Sequence, residues 1–144
     1  MDATGLSSGL LSSWNPLLIR CKDFISFVGI LLKANFKGFN EAFSIINCYG
    51  PYSHRIDFWE KVGTGVLFNL PNLLLAGDLN FTLSSFEIWG PKARPNPLSP
   101  FFSRLLTYNN LINLNVCSPS PTWRNGRIGE DGFSKRLDRL VISE

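Results

Sequence analysis

The chain has 144 residues, 44% of them hydrophobic and 17% charged, with a formal charge of +3. That length bounds it to one domain over residues 1–144, and the composition excludes a disordered chain while leaving few charges to solvate a surface. Lys and Arg are scattered apart from a cluster between Arg124 and Arg139, so net charge alone selects no polyanionic partner.

From the N-terminus, Gly9 to Trp14 and Phe24 to Leu32 are short apolar runs bounded by Gly, Ser, Asn and Lys, which predict buried strands. Glu41 to Cys48 is a third, closed by the turn signal Tyr49-Gly50-Pro51. Between His54 and Asn69 the apolar residues Ile56, Trp59, Val62, Val66 and Leu67 recur at helical spacing, with Gly63 and Gly65 as interruptions. Leu73 to Ala76 predicts a central strand that ends in Gly77-Asp78-Leu79-Asn80. After a Pro-rich loop, a helix is expected from Ser99 or Pro100, with Leu111 on its apolar stripe and Asn109-Asn110 at its end. Leu137 to Ile142 has strand character. The order predicts a mixed α/β sandwich.

Cys21, Cys48 and Cys117 are odd in number, sit in apolar surroundings and lack C-x-x-C spacing, so they are expected to be small buried hydrophobes in a reducing compartment. The apolar run Phe24 to Leu32 is too short to span a bilayer, and Met1-Asp2 opens no basic leader. A nuclear or cytoplasmic, non-secreted protein is expected. His54, the one histidine, is expected at a helix start or on the surface.

Leu73 to Asn80 is the strongest chemical signal, because a buried strand delivers an Asp and an Asn, two positions apart, to a turn. A carboxylate there can orient a water or bind a hard cation, and the amide can hold a phosphate oxygen. The same residues also suit a plain turn with positive φ at Gly77 and an Asx cap at Asp78.

Three further segments stand with it in order. Asn47-Cys48-Tyr49-Gly50-Pro51 lies upstream; Thr122-Trp123-Arg124 and Arg136-Leu137-Asp138-Arg139 lie downstream. Together they resemble the endonuclease/exonuclease/phosphatase family, with its N-x-Y-x-P, G-D-x-N, Thr-Trp and R-[IL]-D segments. The stretches SSGLLSSWNP, LSSFEIWGP, NPLSPFF and TWRNGR look like the endonuclease region of plant LINE-type (non-LTR) retroelements, and the resemblance runs from about residue 6 to 143.

The resemblance implies a partial four-layer α/β sandwich, two mixed β-sheets face to face with helices outside, lacking the first and last strands. It implies DNA as partner, Mg2+ as cofactor and phosphodiester hydrolysis as the reaction. Tyr49 matches a tyrosine that bonds within the site and contacts a phosphate, with Asn47 supporting its loop. Asp78 matches the aspartate of water activation or metal binding, and Asn80 the amide on the scissile phosphate. Thr122 matches a residue of a DNA-contacting turn that Arg124 continues, and Asp138 the aspartate that orients a catalytic histidine. Trp123 is expected in the core.

The family pattern also has a metal-binding glutamate on an early strand and a terminal Ser-Asp-His, neither of which has a counterpart here; no residue of this chain is assigned as a metal ligand, and Glu87 receives no metal role. Little or no activity is expected of the chain as it stands, together with exposed apolar surface and low solubility. The alternatives are a non-catalytic nucleic-acid-binding remnant that uses Thr122, Arg124, Arg127, Lys135 and Arg136, or a pseudogene product without a selected role.

Overall fold

The computed structural model describes residues 9–91, 93–115 and 118–144. Its larger sheet has six strands: β1 (Ile19–Ile25), β2 (Gly29–Phe36), β3 (Ala42–Tyr49), β4 (Leu73–Asp78), β6 (Leu111–Asn113) and β9 (Asp138–Ser143), in the order β1-β2-β3-β4-β9-β6. Only β3 and β4 run parallel, joined by a crossover through helix α1 (Arg55–Gly63). Three two-residue strands, β5 (Ile88–Trp89), β7 (Trp123–Arg124) and β8 (Ser134–Lys135), form an antiparallel sheet in the order β5-β8-β7. With α2 (Ser99–Tyr108) this gives the expected mixed α/β fold with two sheets. One sheet is mixed, and the small one is antiparallel. Among the described residues no helix is long and apolar enough to cross a membrane.

Strand alternation puts Ile46 and Cys48 of β3, Leu73 and Leu75 of β4, and Val141 of β9 on one face. These residues share a buried core with Trp59 and Val62 of α1 and Phe102 and Leu106 of α2. Phe81 joins the layers, stacked on Phe102 with ring centroids 4.2 Å apart and edge-on to Trp59 at 5.4 Å. Both helices therefore cover the same face. The opposite face carries Phe43, Ile45, Leu74 and Ile142, which line an apolar groove of about 480 Å³, and Leu140 is exposed beside them.

Several elements depart from the sequence reading. The run Phe24 to Leu32 is not one strand but a tight hairpin. Ser26 and Gly29 exchange backbone hydrogen bonds, and the Ser26 hydroxyl accepts the Val28 N–H. Gly29 has φ 152°, and a Cβ there would lie 2.0 Å from the Asn47 carbonyl oxygen, so the chain can turn against β3 only at a glycine. Gly9 to Trp14 forms no strand. It is tied to the sheet by the Asn47 amide, which donates to the Leu11 carbonyl at 2.9 Å and the Ser12 hydroxyl at 3.1 Å.

Helix α1 stops at Gly63, with Thr64 as its C-cap, and residues 67–69 form a separate short turn. A Cβ on Gly63 would come within 2.7 Å of the terminal methyl of Leu105, so α2 packs side chains against α1 at this point. Asn109 and Asn110 end α2 as expected, and Leu111 opens β6 instead of continuing the helix stripe. His54 is the exposed N-cap of α1, with φ 52°. Cys48 is buried, Cys21 is half-buried, and Cys117 lies outside the described residues.

Candidate active site

The site begins at the carboxyl end of β4, beside its parallel neighbour β3. A Cβ on Gly77 would lie 2.1 Å from the Cys48 carbonyl oxygen, and Gly77 has φ 128°, so a side chain is excluded on two counts. The next residue, Asp78, is in register with Tyr49 on its parallel neighbour and with Asp138 on its antiparallel neighbour. Three candidate residues thus meet across three adjacent strand ends.

The turn after Asp78 is pinned from both sides. The Asp78 carboxylate accepts the Asn80 N–H at 2.9 Å, an Asx turn, and its carbonyl accepts the Gly50 N–H at 2.6 Å. Leu79 donates to the Leu137 carbonyl at 3.1 Å and is fully buried. Asn80 sits in the left-handed region at φ 54° and is 7% exposed; its amide donates to the Gly50 carbonyl at 2.6 Å, and its own carbonyl accepts from Arg55 at 3.0 Å. Both properties of the plain-turn reading, positive φ at Gly77 and an Asx cap at Asp78, are present alongside the chemical grouping.

Burial pushes the Asp78 carboxyl above its usual range; the Asn80 N–H opposes the shift and the Asp138 charge adds to it. Cys48 is pushed up to about 12 by burial and the Asp78 charge, which leaves an inert thiol. Asp138 is exposed, and the Thr122 hydroxyl oxygen accepts both the Leu137 and Asp138 N–H groups at 3.0 Å. Thr122 therefore fixes the backbone of Asp138, while its own O–H is still available to donate. Tyr49 is exposed at the mouth of a cleft of about 260 Å³ that Asp78, Asn80, Arg55, Trp123 and Lys135 also line.

Three residues differ from expectation. Trp123 is not core: it is 36% exposed, with its ring 5.7 Å from that of Phe133 on the cleft wall. Arg136 is 6% exposed and donates to the Leu114 carbonyl at 3.1 Å, so it is not placed to reach a phosphate on the surface. Arg124 is exposed on β7. Asn47 supports the N-terminal segment and not the loop after Tyr49.

Glu87 is the residue that sequence reasoning underrated. It is buried, accepts the Leu83 N–H at 2.6 Å and takes both terminal nitrogens of Arg139, with Arg136 at 3.7 Å. Burial by itself would raise its carboxyl, but the hydrogen bonds from Arg139 and Leu83 and the two guanidinium charges hold it below the usual range. A lone carboxylate inside the apolar stretch Phe86-Glu87-Ile88-Trp89 was the available signal.

A solved structure, the endonuclease domain of TRAS1, a telomere-specific non-LTR retrotransposon, matches the fold of this chain with a TM-score of 0.65. The chain shares the fold of a retrotransposon endonuclease domain. The match has 18% sequence identity and covers 88% of this chain and 56% of the TRAS1 chain, so this chain spans a little over half of that domain's length. No family model and no curated protein matches the sequence.

Proposed function

We propose that the chain is a portion of a Mg2+-dependent DNA endonuclease domain of the endonuclease/exonuclease/phosphatase family, of plant LINE-type retroelement origin, with little or no activity as it stands. The observation that carries this reading is the meeting of Tyr49, Asp78 and Asp138 across three strand ends, with Asn80 locked in the adjoining turn. In this reading Asp78 orients the attacking water, Asn80 and Tyr49 hold the phosphate, and Asp138 orients a histidine supplied from outside the residues described. Thr122 and Arg124 contact the DNA backbone on the same side, and Asn47 supports the segment that leads in.

The fit to Mg2+ is partial. Asp78 and Asp138 offer carboxylate oxygens from paired positions, but among the described residues no group of three His, Cys, Asp or Glu side chains converges. A hard cation accepts one or two carboxylates and completes its shell with water and substrate phosphate. Bound there, it would polarise a phosphoryl oxygen.

Supercoiled-plasmid nicking with Mg2+ tests the reading on the chain itself. Little or no nicking is expected. Nicking that disappears in Asp78→Ala would show that these residues suffice without the family glutamate and histidine.

A non-catalytic nucleic-acid-binding role is the second reading, favoured by the exposed cations Arg124 and Arg127 around the β7 to β8 hairpin. DNA affinity that falls steeply with salt is its signature. Weak binding even at low salt would remove it.

A further inference from the structure

The cleft beside Asp78 holds two cations that neither reading above requires together. Arg55, the first residue of α1, and Lys135, on β8, both line it and both are half-buried. Among the described residues neither forms an ion pair; Arg55 has one hydrogen bond, to the Asn80 carbonyl, which leaves most of its five N–H donors unused. Burial, and then the Arg55 charge, lower the Lys135 ammonium from its usual range. Thr82, 1% exposed on the same cleft, has a hydroxyl without a hydrogen-bond partner among the described residues.

Two like charges held together in a half-buried cleft repel, and each loses hydration. An anion between them reverses the sign of both effects. We propose that Arg55 and Lys135 form an anion subsite for a nucleic-acid backbone phosphate, distinct from the phosphate assigned to the Asp78–Asn80 turn. The nucleic-acid identity of the ligand rests on the function proposed above; the anion subsite rests only on the two cations.

The same cleft selects between phosphate sources. Asp78 lines it beside the two cations, and attraction and repulsion scale alike with the ligand's charge, so charge by itself does not separate a diester from inorganic phosphate. Trp123 and Phe133 offer apolar ring surface to a base or sugar and nothing to inorganic phosphate. A diester within a strand is therefore preferred over the free ion.

Metal-free fluorescence anisotropy with a short labelled oligothymidylate tests the proposal across a salt series, on the chain and on Arg55→Gln, Lys135→Gln, Lys135→Arg and Arg104→Gln. Arg104→Gln removes the same charge from the exposed surface of α2. Arg55→Gln and Lys135→Gln are expected to weaken binding about tenfold and reduce the salt slope by about 0.7 each, while Lys135→Arg and Arg104→Gln bind nearly as the parent. Side-chain NMR should show Lys135 titrating at higher pH with the oligonucleotide, and less so with inorganic phosphate.

Unchanged affinity and slope in both Gln variants, with an unmoved Lys135 titration, would overturn the subsite. A response to inorganic phosphate alone would overturn its assignment to nucleic acid. Because no metal and no cleavage enter the measurement, its outcome and that of the nicking assay are separate results.

Discussion

Arg139 and Glu87 lie 52 residues apart in the chain and meet in the interior, with two guanidinium nitrogens on two carboxylate oxygens. Arg139 also donates to the Phe81 carbonyl from two nitrogens and lies over the Phe81 ring at 5.1 Å. It is the immediate neighbour of Asp138, and Phe81 follows Asn80. This buried pair therefore ties the two sides of the candidate site to one anchor.

Replacing Glu87 by Ala strands two buried guanidinium groups, and the expected loss is about 3–5 kcal/mol in urea unfolding. The double variant Glu87→Leu with Arg139→Met is expected to recover most of it, because no uncompensated charge is left. The lowered Glu87 carboxyl adds a pH signature. Its contribution is present above the ordinary glutamate range and is lost as pH falls through the lower folded value, so acid unfolding of the parent should be steeper than that of the double variant.

Gly77 and Gly126 both have positive φ, at 128° and 72°, but only Gly77 faces backbone at contact distance. Gly77→Ala must part β3 from β4 and is expected to cost about 3 kcal/mol or more. Gly126→Ala meets nothing within 4 Å and is expected to cost about 1 kcal/mol, from its backbone conformation alone. Thermal melts of the two variants give the comparison.

Asp78 carries a raised carboxyl, so its protonated form is favoured by folding. The stability it contributes is present below the ordinary aspartate range and is lost as pH rises through the folded value. Asp78→Asn keeps an oxygen for the Asn80 N–H and removes the charge facing Asp138. A higher melting temperature than the parent is expected at neutral pH, with the difference vanishing in acid; a lower melting temperature at neutral pH would contradict the assigned repulsion.

The apolar sheet face opposite the helices predicts binding of an apolar dye and self-association. Leu140, 38% exposed on that face, is the place to test it. Leu140→Lys should reduce dye fluorescence and aggregate size in light scattering, with a stability change of about 1 kcal/mol or less.

Much of this molecule is legible in sequence because its strongest signals are local. Leu73 to Ala76 can be little other than a buried strand, and Pro100 and Asn109 bracket α2 by their own backbone chemistry. The hairpin at Ser26 to Gly29 is not legible, since an apolar run carries no mark of its turn until the Asn47 carbonyl is seen against Gly29. Asp78 and Asn80 stand out by spacing, whereas the pairing of Asp138 with Asp78 is a matter of sheet register. Arg136 and Arg139 look like surface charges because their counter-ion, Glu87, is contributed by a loop about fifty residues earlier. Trp123 suggests core by composition, yet a two-residue strand on the small sheet leaves it at the cleft.

The most direct test of the central claim supplies what the family pattern has and this chain does not match: an early strand bearing the metal glutamate and a terminal Ser-Asp-His segment, joined to residues 1–144. With Mg2+, the extended protein is expected to nick supercoiled plasmid and to lose that activity by several orders of magnitude in Asp78→Ala or Asn80→Ala. A folded extended protein without nicking activity, or with nicking untouched by Asp78→Ala, would contradict the assignment of Asp78 and its neighbours to phosphodiester chemistry.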